Sequence, residues 1–291
     1  MTEAYVVTVG RNHVWVLLDG EHDPRTAELR KTQTREMLVP GDRVETVLRD
    51  DGSAFVLHRR ERRSVVERTT PGGRHKTLAA NIDTVLIAAA FAEPLPNLVM
   101  IDEVLAFAQA RALDAALLWS KADMVDDVER ERLLALYRDI GYPVFEVDAR
   151  VGYGVTAIEA ALQGRITLVL GASGVGKSTL FAALGGISTT GAVSEKTGRG
   201  RQTTTAGRLH RLADGVLIDS PGIGEFALEG EEPENVALLW REFAPFLGGC
   251  RFIDCRHDRE PSCTLRAAVE AGLIAPSRWQ SYRRVVERLQ R

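Results

Sequence analysis

Gly171, Ala172, Ser173, Gly174, Val175, Gly176, Lys177 and Ser178 spell the phosphate-loop pattern G-x-x-x-x-G-K-[ST], well past the middle of a 291-residue chain. A β-branched and leucine-rich run over 165–170 precedes them, and a helical pattern over 179–184 begins at Thr179. That strand, loop and helix setting turns a pattern match into a site. Its glycines let backbone N–H groups face phosphates, Lys177 supplies a charge to the outer phosphates, and the Ser178 hydroxyl suits Mg²⁺.

The surrounding pattern agrees. Strands are expected at 84–88, 115–119, 143–147, 166–170, 208–212 and 216–219, with helices at 101–111, 128–140 and 155–162. Such alternation implies a mostly parallel α/β sheet covered on both faces, with ligands at the C-terminal ends of its strands. Upstream, short partly alternating runs at 4–10, 14–18 and 43–48, separated by Gly, Asp and Pro, read as a five-stranded OB-like β-barrel. The barrel exits through a basic stretch, 58–63, followed by Arg68, Arg74, His75 and Lys76. Beside such a barrel, a run of this kind suits a nucleic-acid backbone. An acidic linker at 229–234, a helix at 236–246, a cysteine cluster and a final helix at 276–291 complete the expected order.

Composition narrows the partners. Net charge is only −3, so contact with nucleic acid must come from local patches; from Cys250 onward, nine arginines face five acids. An apolar run of about 18 residues and a signal-peptide pattern are both missing, so a cytoplasmic protein without a membrane partner is expected. The three cysteines all fall between residues 250 and 263. Cys250, Cys255, His257 and Cys263 offer three thiolates and one imidazole, a complete tetrahedral set for one structural Zn²⁺ with no open position for catalysis.

Further motifs complete a nucleotide site. Asp219, Ser220, Pro221 and Gly222 end a strand, giving a carboxylate that holds Mg²⁺ through water and a glycine amide facing a terminal phosphate. The polar stretch 199–205 suits a switch loop in which either Thr204 or Thr205 completes the Mg²⁺ shell. Ser120, Lys121, Ala122 and Asp123 follow the strand at 115–119. Asp123 can accept from both N–H donors on the Watson–Crick edge of guanine, a pattern adenine lacks, while Lys121 lays its stem over the base. After the next strand, the Ala149 region offers a backbone N–H to the guanine oxygen. The base-reading loops therefore precede the phosphate loop, which reverses the usual order. The expected fold is an α/β circularly permuted P-loop GTPase domain.

An OB-like barrel, a permuted G domain and a C-terminal zinc-binding helical domain together resemble the RsgA family of GTPases that depend on the small ribosomal subunit. The resemblance covers essentially the whole chain. The divisions expected are 1–68, 69–228 and 229–291. The resemblance implies a monomer that binds GTP or GDP with Mg²⁺, hydrolyses GTP faster on the subunit, assists late subunit maturation and grips rRNA with its end domains. Three positions depart from the family pattern. Ser120 stands where Asn is usual, which predicts a lost contact to guanine and to neighbouring loops; Asp148 replaces Ser and places a charge beside the nucleotide; Gln202 replaces His. Ile223 follows Gly222 where small GTPases carry Gln, so Gln202 is the candidate catalytic residue for orienting water, with Lys177 stabilising charge. Two rivals remain at this point: a hydrolysis-poor paralogue acting as a nucleotide-gated RNA-binding module, and an ATP-dependent enzyme, against which Asp123 argues.

Overall fold

The computed structural model describes residues 1–10, 14–21, 23–29, 38–69, 75–185, 208–212, 214–220, 228 and 231–290. Gln202, Thr204, Thr205 and Gly222 lie outside the described residues, as do Arg74, Pro221 and Ile223.

Strands β1 (Thr2–Val9), β2 (Val14–Leu18), β3 (Arg25–Leu29), β4 (Arg43–Leu48) and β5 (Ala54–Arg59) close a barrel in the order β1-β2-β3-β5-β4. All pairings are antiparallel except β3 with β5. Alternate residues point inward, so Ala4, Val6, Val14, Val16, Leu18, Val44 and Val56 fill the interior. This is the OB-like barrel expected from the runs of β-branched residues.

Next comes a hairpin that the sequence pattern does not reveal. β6 (Val65–Thr69) pairs antiparallel with β7 (His75–Ala80) and straddles residues 68 and 69. The charges of Glu67, Arg68 and Lys76 hide it in the sequence, although Val66 and Ala79 are fully buried. Directly after β7, Asn81 ties this hairpin to the barrel: its amide donates to the Gly41 carbonyl at 2.8 Å and accepts from the Arg63 N–H at 2.9 Å. Gly41 has φ +87°, and a Cβ there would lie 2.2 Å from the Ala80 carbonyl oxygen, so this joint admits no side chain.

The main sheet comprises β8 (Thr84–Ala90), β9 (Asp114–Ser120), β10 (Val144–Val147), β11 (Ile166–Gly171), β12 (Arg208–Leu212) and β13 (Gly215–Asp219), in the order β10-β9-β8-β11-β13-β12. Only the edge strand β12 runs antiparallel. Every residue of β8 is buried, as a strand covered on both faces requires. Val85, Ile87 and Ala89 share a core with α1 (Leu98–Ala110) and α2 (Asp127–Arg138); Leu86, Ala88 and Ala90 share another with α3 (Val155–Leu162) and α4 (Lys177–Ala183). Asn97 and Asp126 cap α1 and α2 by accepting from the Met100 and Glu129 N–H groups at 3.2 and 2.8 Å.

The helix expected over 236–246 is instead two 3₁₀ stretches, Val236–Leu239 and Arg241–Phe246. Trp240 between them is extended, and Pro245 removes a donor that a continuous helix would need. A short helix absent from the sequence expectations, α5 (Thr264–Glu270), leads to α6 (Pro276–Leu289), which packs on α1. Within this contact Arg278 is 1% exposed. Its guanidinium donates to Asp102 of α1 at 2.6 Å and to both Glu242 oxygens at 2.6 and 3.0 Å, while the Tyr137 hydroxyl donates to Asp102 at 2.9 Å. Trp240, Phe243, Trp279 and Tyr282 form one aromatic cluster, with Tyr282 edge-on to Trp240 and Phe243 and the Arg278 guanidinium 5.9 Å from the Trp240 ring centre.

Candidate nucleotide site and metal centre

The phosphate loop joins β11 to α4 at the centre of the sheet. Gly171 closes β11 where a Cβ would sit 2.5 Å from the Ala88 carbonyl oxygen of β8, so the loop leaves the sheet only as glycine. Gly174 and Gly176 take φ of +84° and +91°, which turns the backbone back on itself ahead of Lys177. The Lys177 ammonium donates to the carbonyls of Gly171 and Ala172 at 2.6 and 2.9 Å and thus lies folded into the loop. Burial holds its pKa below the ordinary lysine range, and the Asp219 carboxylate at the end of β13 opposes that shift. Ser173, Ser178 and Thr179 are not buried, whereas Val175 is buried in the core beneath.

Ser120, at the end of β9, joins the loop that follows β9 to the phosphate loop. Its hydroxyl lies 2.8 Å from the Val175 carbonyl oxygen and 3.3 Å from that of Ala89. The expected loss of contact to neighbouring loops is therefore corrected: serine still reaches the phosphate loop because Gly176 brings that loop close, with its virtual Cβ 3.8 Å from Ser120 Oγ. Lys121 is left-handed (φ 60°) and donates to the Glu93 carbonyl, bringing its stem across the loop between β8 and α1. Ala122 and Asp123 begin a single 3₁₀ turn, Ala122–Met124.

Asp123, Asp148, Ala149 and Arg150 line one cavity of 290 Å³ together with Ser120, Lys121, Gly176 and Thr179. The charge expected beside the nucleotide at Asp148 is answered within its own loop. Asp148 accepts from the Arg150 backbone N–H at 3.0 Å and from its guanidinium at 3.0 and 2.8 Å, which holds the carboxyl below the usual carboxylate range. The same guanidinium reaches Asp123 at 3.4 Å. Arg150 is absent from the sequence-based site; its one signal there is a cation two residues after an unusual acid.

The cysteine cluster converges as its spacing predicts. The ligand atoms of Cys250, Cys255, His257 and Cys263 all lie within 4.8 Å of one another. His257 Nδ1 is 3.5 Å from both Cys250 Sγ and Cys263 Sγ, and those sulfurs are 4.0 Å apart. Ligands at Zn–S and Zn–N distances around a tetrahedral ion stand roughly 3.5–3.8 Å from one another, so the donor set fits zinc. Burial lowers the His257 pKa and keeps the imidazole neutral, as a ligand must be; burial also raises the thiols of Cys255 and Cys263. The connecting loop is organised by Glu260, whose carboxylate accepts from the N–H groups of Arg256, Asp258 and Arg259 at 2.9, 2.8 and 3.0 Å. Among the described residues no helix is long and apolar enough to cross a membrane.

A phosphate loop on the central strand, preceded in the chain by the loops after β9 and β10 that line a cavity beside it, defines a circularly permuted GTPase. Comparisons with known proteins agree. The family model described as RsgA GTPase matches residues 59–229. Relatives named small ribosomal subunit biogenesis GTPase RsgA are 41% identical over 278 residues in Azotobacter vinelandii, covering 93% of this chain and 80% of the relative. The corresponding protein of Chromohalobacter salexigens is 43% identical over 259 residues, covering 87% and 76%. Among solved structures, YjeQ from Thermotoga maritima superposes with a TM-score of 0.76 at 27% identity, covering 99% of this chain and 98% of that one. YloQ, described as a circularly permuted GTPase, superposes with a TM-score of 0.72 at 20% identity over 100% and 95% of the two chains, and shares the fold. The chain belongs to the RsgA GTPase family, a family of GTP hydrolases.

Proposed function

We propose that this chain binds GTP with Mg²⁺ and hydrolyses it to GDP and phosphate, faster when bound to the small ribosomal subunit, whose late maturation it assists. The observation that carries this reading is the bond from Ser120 to the Val175 carbonyl. It fixes the base-reading loop and the phosphate loop as one site, 2.8 Å apart at their contact. The relatives' shared name supplies the ribosomal context.

In this reading Asp123 accepts from the guanine edge, Lys121 covers one face of the base, and Ala149 offers its backbone N–H to the guanine oxygen. Gly171 to Thr179 wrap the phosphates, and Lys177 exchanges its loop carbonyls for phosphate oxygens. Ser178 and Asp219, with Thr204 or Thr205 from the switch loop, hold the Mg²⁺ that neutralises charge developing on the phosphates. Gly222 donates to the terminal phosphate, and Gln202 orients the attacking water, a role an amide fills without titrating. Cys250, Cys255, His257 and Cys263 bind one structural zinc.

The chain then divides into three units: 1–68 and 229–291 contact rRNA, and 69–228 carries the nucleotide. The protein acts as a monomer in the cytoplasm. The decisive measurement is GTP turnover with and without purified small subunits. Stimulation by subunits supports the proposal; tight GTP binding with equal, near-zero turnover in both conditions identifies a nucleotide-gated RNA-binding protein instead.

A further inference from the structure

Two carboxylates, Asp123 and Asp148, line the same 290 Å³ cavity. Guanine recognition needs Asp123 ionised and correctly turned, because its two oxygens accept from two different N–H groups of the base. A second carboxylate beside it works against that orientation, since like charges in one site push each other aside. Arg150 stands between them. Its Nε and Nη2 take both oxygens of Asp148 at 3.0 and 2.8 Å, its own backbone N–H donates to Asp148 at 3.0 Å, and the remaining reach of Nη2 ends 3.4 Å from Asp123 Oδ1.

The geometry points to Arg150 as a positioning residue for guanine specificity: it neutralises Asp148 and holds the Asp123 carboxylate in the orientation that reads the 2-amino group. The inference rests on the guanine reading of this pocket proposed above. Asp148 is bound three times by Arg150 and its backbone, so the guanidinium is held in place and its Nη2, shared between the two acids, faces Asp123. Asp123, Asp148 and Arg150 together carry one net negative charge, the same as a lone carboxylate. A base-reading loop therefore tolerates an acid at residue 148 only because the cation two residues later accompanies it. Arg150 and Asp123 are both more than half exposed, with side-chain exposures of 62% and 59%, so the effect is that of a solvent-screened pair.

Titrations of the full-length protein with GTP, with ITP, which lacks the 2-amino group, and with ATP separate this role from others. Preference of the parent for GTP over ATP is read first; if it is missing, the guanine reading itself fails. Given that preference, Arg150→Ala lowers the ratio of GTP to ITP affinity about two- to fivefold, the range that an exposed ion pair supports. Arg150→Lys, which keeps the charge but not the planar fork that grips Asp148, recovers part of that ratio. Adding Asp148→Ser to Arg150→Ala restores it, because the competing carboxylate is gone. The parent's ratio falls as salt is raised, and that of Arg150→Ala does not. Equal weakening of GTP and ITP, which a purely structural or phosphate-steering arginine gives, overturns the proposal. So does a double variant that behaves like Arg150→Ala alone.

Discussion

Arg278, near the start of the last helix, is bound at 2.6 Å to Asp102, in the first turn and a half of α1, and both side chains are essentially closed to solvent, at 1% and 0% exposure. Burial pushes the Asp102 carboxyl up and the Arg278 charge opposes it, so the pair stands or falls together with Glu242 and Tyr137. Arg278→Met leaves two carboxylates without their cation and costs about 3–5 kcal/mol. Urea unfolding followed by tryptophan fluorescence, which Trp240 and Trp279 report locally, reads this directly; an unchanged midpoint refutes the assignment.

Lys177→Ala removes the ammonium now held by Gly171 and Ala172 and abolishes tight GTP binding and turnover together. The pH dependence has a definite sign. Because burial lowers the Lys177 pKa, the empty site loses this proton at a lower pH than an ordinary lysine does, and bound phosphate draws the proton back. Nucleotide binding therefore takes up protons at alkaline pH, and affinity falls as pH rises through the lowered pKa. Calorimetry in buffers of different ionisation enthalpy detects the uptake, which Lys177→Ala lacks.

Asp123→Asn replaces an acceptor pair with one acceptor and one donor at the guanine edge. It weakens GTP relative to ATP by about 1–3 kcal/mol, the cost of an unpaired polar edge. Competition titrations that give the same GTP-to-ATP ratio as the parent show that this loop does not read the base.

Zinc removal, or Cys255→Ser, loosens the segment around residues 250–263, where few apolar contacts replace the metal, and leaves nucleotide binding intact. Metal analysis should find about one zinc per chain. Since burial raises the Cys255 thiol, zinc loading releases protons and zinc affinity falls as pH falls. Reduced, carefully prepared protein that holds no zinc contradicts the assignment.

Gln202→Ala lowers subunit-stimulated turnover with little change in GTP affinity, because an amide that orders water acts in the transition state. Gln202→His keeps or raises the stimulated rate. Undiminished turnover by Gln202→Ala on small subunits places water positioning on another residue.

The sheet is legible in the sequence because its strands are buried on both faces: Val85, Leu86 and Ile87 form an unbroken apolar run that no solvent-facing strand would carry. The clustering of the zinc-type ligands is legible from spacing alone, since four donors within 14 residues have few ways to be arranged. The β6–β7 hairpin is not, because its exposed part is charged and its buried residues, Val66 and Leu78 to Ala80, are few and do not alternate. The break at Trp240 is obscured by an apolar pattern, Val236 to Phe246, whose burial a 3₁₀ path serves as well as a helix. Ser120 looks like a loss when side-chain length is weighed without the approach of Gly176. Arg278 escapes notice because an ion pair between residues 176 positions apart leaves no local trace, and the link from Arg150 to Asp123, 27 positions away, hides behind its local pairing with Asp148.

The strand order also dictates how the molecule can be made. Strands β8, β9 and β10 lie side by side and are the first of this sheet to leave the ribosome, so that half of it is complete as a three-stranded parallel unit before the phosphate loop is synthesised. Strand β11 then adds to the open side of β8. The face of α1 that carries Asp102 meets Tyr137 of α2 first, and Arg278 of α6 comes to it later in the chain. Since folding during synthesis proceeds from the N-terminus, the nascent chain carries the Asp102 carboxylate without its cation until α6 is synthesised. That charge keeps the waiting surface hydrated, and it is neutralised only once Arg278 docks on it.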